Sequence, residues 1–286
     1  MADERLDPRI TPARPDLAAE SLRGRVEAAR FVAGAERRVA VPVLGLRTTP
    51  EAEAPLATEL LFGQRFTVYD EGDGWCWGQA RLDGYVGYVE AAGLGTAAAE
   101  PTHVVAVPRT LVHPEPELKR PPVGALPMTA RVRVEEESGD YARVEGGGWV
   151  FARHLAVVGE TDPDHVTTAL RFVGVPYKWG GKTSLGIDCS GLVQVALERA
   201  GLAVPRDSDM QAEAIGTRLG GGADLARLER GDLVFFPGHV GLMVDRDRIL
   251  HANAHHMMVE VEPVAELLAR LRAASGLDVT VLRRPV

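Results

Sequence analysis

Residues 188–199 read DCSGLVQVALER. The stretch opens on Asp188, a capping-type residue, and runs through an apolar helical pattern that Gly201 stops, so Cys189 sits in the first turn of a helix. The N-terminal end of a helix favours negative charge, and a thiol placed there is expected to have a lowered pKa. The chemistry expected at Cys189 is therefore nucleophilic. Such a thiol needs a proton acceptor that can also donate to the leaving group, and near neutral pH histidine does this best.

Downstream, GDLVFF, HVGLMVD, RILHAN and MMVEVE follow as four strand candidates in quick succession. His239 starts the second of them after the Pro237–Gly238 turn, a position at a sheet edge facing a helix end. A third polar group should hold this base in its working tautomer. His251 and Asn253 share strand parity, and either is placed to do so. A zinc site built from Cys189, His239 and His251 is disfavoured, because the spacing is not that of short zinc motifs and no fourth ligand suggests itself.

Working outward, a helix capped by Asp162 or Asp164 is expected to reach about Val173, a last helix to run from Pro263 to Leu271, and DVTVLRR to form a last strand. Residues 160–286 thus read as α+β, a helical half before an antiparallel sheet. Upstream the pattern is β throughout. VPVLGLR, LLFGQRFTVYD, GWCWGQARL and GYVGYVE form one small barrel, residues 36–97. A weaker copy spans 98–159, with Tyr141–Ala142–Arg143 answering Trp75–Cys76–Trp77 and Gly148–Trp149–Val150 answering Gly87–Tyr88–Val89. Residues 1–35 read as a proline-bearing arm, with helix expected between Asp16 and Ala35 from the spacing of Leu17, Leu22, Val26 and Ala29.

The chain has 286 residues, 45% of them hydrophobic and 25% charged, and a net charge of −8 without a basic run, which argues against nucleic acid or an anionic membrane surface as partner. No segment approaches the apolar length of a spanning helix. The opening MADERLDPRITPARPD has acids and prolines where an export signal would have a basic start and an apolar run, so a cytoplasmic protein is expected. Its two cysteines, Cys76 and Cys189, fall in different predicted domains, which fits a reducing compartment.

The ordered motifs PYKWGG (176–181), DCSGLVQ (188–194), PRDSDMQ (205–211), GDLVFFPGHVGLMVD (231–245) and ILHAN (249–253) resemble the NlpC/p60 cysteine peptidases over essentially all of residues 160–286. The resemblance implies a papain-like fold with Cys189 as nucleophile, His239 as base, His251 as the orienting third member and the Tyr177 hydroxyl as an oxyanion donor beside the Cys189 N–H. The upstream units resemble bacterial SH3-like modules, and the combination is similar to γ-D-glutamyl-L-diamino acid endopeptidases that trim cell-wall peptides.

That likeness implies a small murein peptide with a free L-Ala amine as substrate, with the first barrel closing one end of the cleft. Asp207 and Tyr85 match positions that face the amine, while Arg206, Ser190 and Ser208 are placed to read the D-Glu carboxylate. Asp188 and Trp179 complete the substrate-side set. The subgroup's first-barrel glutamate has three counterparts here, Glu51, Glu53 and Glu59, without a clear choice. No cofactor or metal is expected, and the oligomeric state is left open. The rival readings are an exported wall hydrolase and a non-catalytic wall-peptide-binding protein.

Overall fold

The computed structural model describes residues 6–96, 99–221 and 225–286. The chain divides into two compact units, residues 1–158 and 159–286.

In the first unit, alternating apolar residues build a seven-stranded antiparallel sheet. Its order is Leu56–Leu61, Val43–Arg47, Val86–Glu90, Trp75–Ala80, Arg65–Gly72, Ala35–Val39 and Leu94–Thr96. The sheet curls around Val39, Leu44, Leu46, Leu60, Phe66, Cys76 and Val89. A second core, centred on Val105, Leu126, Val132, Ala142, Val144 and Val150, is enclosed by three shorter sheets. The same order of parts recurs in both: the strand bearing Val89 or Val150 runs into a 3-10 turn, Ala91–Gly93 or Ala152–His154, and then a short strand. Cys76 and Ala142, equivalent in the repeat, are both buried.

The arm differs from its expected helix. Among the described residues it holds a 3-10 turn, Glu20–Leu22, and two short parallel strands, Ala18–Ala19 and Phe31–Val32. The apolar spacing does not make a stripe, because Leu17 and Leu22 are buried whereas Ala29 is exposed. Gly24, at φ +80°, also turns the chain where a helix would continue. The arm is clasped to the first barrel instead: Val86 N–H donates to the Arg9 carbonyl, and the Arg14 guanidinium lies 4.4 Å over the Trp77 ring while pairing with Asp70 at 2.6 Å.

Among the described residues of the second unit four helices, α1 (His165–Leu170), α2 (Cys189–Arg199), α3 (Ser208–Ala214) and α4 (Val264–Ser275), accompany a six-stranded sheet. Its order is Thr217–Gly221, Val281–Arg284, Leu233–Phe236, His239–Met243, Arg248–Asn253 and Met258–Pro263, every neighbour antiparallel. α1 starts at Asp164, whose carboxylate caps Thr167, and ends three residues short of Val173. α4 runs on to Ser275 and stops at Gly276 in the left-handed region. α2 is buried along nearly its whole length and packs against the strands that carry His239 and His251. α4 covers a second cluster formed by Val234, Phe236, Met243, Ile249, Leu267 and Leu268. No helix among the described residues is long and apolar enough to cross a membrane.

Candidate active site

The start of α2 is held by one carboxylate doing several jobs. Asp188 Oδ1 accepts the Gly191 N–H at 2.7 Å as an N-cap, and Oδ2 accepts the Gly180 N–H at 2.8 Å from the PYKWGG loop. Arg206, 1% exposed, closes a fork on the same carboxylate, Nη1 to Oδ1 at 3.0 Å and Nη2 to Oδ2 at 2.7 Å, and Nη1 also donates to Ser190 Oγ at 2.8 Å. Gln211 Nε2 donates to the Ser190 carbonyl at 3.0 Å. Loop and helix press so closely that a Cβ on Gly191 would lie 2.4 Å from the Gly181 carbonyl oxygen, which is why glycine follows Cys189–Ser190.

Cys189 is 7% exposed, and the backbone N–H groups of Val240 and Ser190 favour the charged form of its thiol. Val240 follows His239 on the strand against which α2 packs, so the thiol and the base belong to neighbouring elements. Burial pushes the thiol up to about 11 and the Asp188 charge adds to this, outweighing the N–H groups and Arg206. The expected lowering by the helix start is thus overturned, because removal of the sulfur from water is the larger effect. Burial likewise pushes His239 down to about 3, with His251 next in effect and Glu262 opposing. Burial thus favours the neutral form of both the thiol and the imidazole.

His239 Nε2 lies 2.8 Å from His251 Nδ1, so His251 is the orienting partner. Asn253 is turned elsewhere, its Oδ1 accepting the His256 N–H at 2.8 Å. The chain continues beyond the sequence expectation. His251 Nε2 is 2.8 Å from Glu262 Oε1, and Arg270 on α4 grips Glu262 through Nη1 to Oε2 at 2.8 Å and Nη2 to Oε1 at 2.6 Å. His251 and Glu262 stand diagonally on one face of their strand pair, since His251 opposes Glu260 and Ile249 opposes Glu262. The alternating glutamates of MMVEVE were a signal for this, but only the register says which of them meets His251.

Tyr177 joins the thiol electrostatically: burial first, then Cys189 and Asp188, push its phenol up to about 12, which keeps it a hydrogen-bond donor. The Cys189 N–H belongs to the first turn, where no intrahelical acceptor exists. Asp207 precedes α3 without capping it and Ser208 opens that helix, both half-buried. Trp179 is 71% exposed beside the glycine loop. In the first unit, Tyr85 sits in the barrel core with its N–H on Asp83 Oδ1 at 3.1 Å. Glu59 is 2% exposed, while Glu51 and Glu53 lie on the surface. No group of three or more His, Cys, Asp or Glu side chains among the described residues is arranged to hold a metal ion.

A thiol at a buried helix start, on a helix packed against the strands that carry a histidine relay, is an arrangement suited to nucleophilic thiol chemistry. Comparison with known proteins gives the family of each part: residues 174–272 match the NlpC/P60 family and residues 46–94 the bacterial dipeptidyl-peptidase SH3 domain, so the chain carries an NlpC/P60 cysteine-peptidase domain and an SH3 domain of that type. It is 39% identical over 101 residues to dipeptidyl-peptidase 6 of Lysinibacillus sphaericus, a match that covers 35% of this chain and 36% of that protein, about a third of each. To a γ-D-glutamyl-L-lysine dipeptidyl-peptidase of Bacillus cereus it is 27% identical over 240 residues, covering 73% of this chain and 71% of that one. A crystal structure of an NlpC/P60 family protein from Bacillus cereus shares the fold at TM-score 0.72 and 22% identity, covering 87% of this chain and 99% of that one.

Proposed function

We propose that this protein hydrolyses the amide between γ-linked D-Glu and a diamino acid in small murein peptides with a free L-Ala terminus. The observation that supports this reading most is the hydrogen-bonded His239 and His251 pair on the strands against which the Cys189 helix packs, within a domain similar to γ-D-glutamyl-L-lysine dipeptidyl-peptidases.

Because both partners rest neutral, proton transfer accompanies attack. As the Cys189 sulfur bonds to the γ-carbonyl carbon, its proton passes to His239. The carbonyl oxygen takes up the charge and is met by the Cys189 N–H and the Tyr177 hydroxyl. The C–N bond then breaks, and His239 returns the proton to the departing amine. Water, deprotonated by the same imidazole, hydrolyses the thioester and releases L-Ala-D-Glu with a regenerated thiol. Asp207 and Ser208, half-buried and next in sequence to Arg206, are polar residues we assign to the substrate side.

We place this reaction in the cytoplasm, on released fragments, as a recycling step. Two free thiols suit a reducing compartment, and a net charge of −8 gives no attraction to anionic wall polymer. The test is digestion of L-Ala-γ-D-Glu-L-Lys and its diaminopimelate counterpart with free and with acetylated amino ends. Release of L-Ala-D-Glu from the free peptides alone is expected. Equal cutting of both forms removes the amine requirement, and cutting of neither sinks the substrate assignment.

A further inference from the structure

We propose that Glu262, clamped by Arg270, is a positioning residue that sets the proton order of the two histidines and so leaves His239 Nδ1 unprotonated as the base. This rests on the thiol-peptidase reading and adds to it a group that touches neither substrate nor sulfur.

The order follows from what each atom can do. An ionised carboxylate only accepts hydrogen bonds, and Glu262 is held well below the usual carboxylate range, at about 2, by His251 and Arg270 against the opposing effect of burial. His251 Nε2, 2.8 Å away, must therefore carry the proton. In a neutral His251 the other nitrogen, Nδ1, then has only a lone pair, and it accepts from His239 Nε2–H across 2.8 Å. His239 is left with its lone pair on Nδ1, free to take a proton.

Arg270 completes the device. With two bonds to Glu262 it neutralises the carboxylate, so Glu262 does not need an imidazolium as its counter-ion. A charged His251, whose side chain is 0% exposed, would cost burial energy and would donate from Nδ1 to His239 Nε2. That arrangement places the His239 proton on Nδ1, where it blocks general-base action. The same reversal follows if position 262 can donate, which is what an amide does.

The experiment is ¹⁵N NMR of histidine-labelled full-length protein at about pH 8, above the ordinary imidazole range, for wild type, Glu262→Gln and Arg270→Met. Cleavage of the wall peptide and the alkylation rate of Cys189 are measured in parallel. In wild type, His239 and His251 should both be protonated at Nε2 and bare at Nδ1. Glu262→Gln should populate the opposite tautomers and lower kcat by at least about tenfold with little change in KM, the cost a wrong tautomer carries in a catalytic relay. Cys189 alkylation should fall in parallel. A wild-type His239 protonated at Nδ1, or a Glu262→Gln protein with wild-type tautomers and rate, overturns the inference. Should the wild type show the expected order and fast alkylation yet cleave no wall peptide, the substrate reading fails while the relay stands. The wild-type spectrum decides even if both variants unfold.

Discussion

Cys76 and Cys189 are both buried free thiols, 2% and 7% exposed, and burial pushes both above the ordinary thiol range. What separates them is their surroundings. Cys76 lies near the start of its strand between Trp75 and Trp77, packed in an apolar barrel core, with Glu71 raising it further. Cys189 has backbone N–H groups that favour its charged form, stands at a helix start, and lies on a helix packed against the strand of an imidazole that burial pushes toward the neutral form. Exposure and acidity, the usual marks of a reactive cysteine, do not distinguish the two. Position relative to a base and to oxyanion donors does.

The sharpest way to break this comparison is to remove each sulfur. Cys189→Ala should lower kcat/KM by about 10⁴-fold or more, since no other nucleophile can form the acyl-enzyme. Cys76→Ala should leave kcat/KM within about twofold of wild type, as a small core change in a unit that carries none of the thiol–histidine groups does. Steady-state assay of the two purified proteins on the free-amine wall tripeptide checks both. Equal losses would mean that the barrel thiol takes part in the reaction.

Much of this contrast was legible in the amino-acid order. The apolar run after Asp188 marks the helix that presents Cys189, and the turn before His239 marks its strand. The strand candidates that follow, through Arg284, form as expected from their short apolar runs. Three things lay beyond reach, each for a physical reason. The direction of the Cys189 shift depends on how far the fold removes the sulfur from water, which local sequence does not encode. Glu262 and Arg270 join the relay through strand register and the docking of α4, both tertiary facts. The edge strand Thr217–Gly221 is too glycine-rich to read as one, and it forms because Val281–Arg284 offers it a partner. The arm failed in the opposite sense: its spacing suggested helix, but Arg14 on Trp77 and Arg9 on Val86 hold it extended.

A smaller effect separates the two regions by what supports them. Around Cys189 the support is ionic. Arg206→Met leaves the Asp188 carboxylate buried without its fork and should destabilise the catalytic unit by about 3–5 kcal/mol, the usual cost of breaking one side of a buried pair. Urea denaturation followed by probes in each unit should show the loss in the catalytic unit and not in the barrels. A transition unchanged in both units would mean that Gly180, Gly191 and Ser190 hold Asp188 without Arg206.

The smallest effect concerns alkaline pH. The folded barrel keeps the Cys76 proton above the ordinary thiol pKa, whereas the unfolded chain releases its thiol proton near pH 8.5. Above that value the unfolded state binds fewer protons than the folded one, so stability falls as pH rises. Each thiol contributes a slope of at most about 1.4 kcal/mol per pH unit, ending where the folded group titrates. Cys76→Ala should flatten this slope for the barrel unit alone, and Cys189→Ala for the catalytic unit alone. Denaturation midpoints taken between about pH 8 and pH 10 measure both, a window that spans the unfolded thiol's titration. If Cys189→Ala leaves the catalytic slope intact while Cys76→Ala removes the barrel's, the resting Cys189 is already ionised, and a preformed thiolate facing an imidazolium replaces the neutral pair inferred from burial.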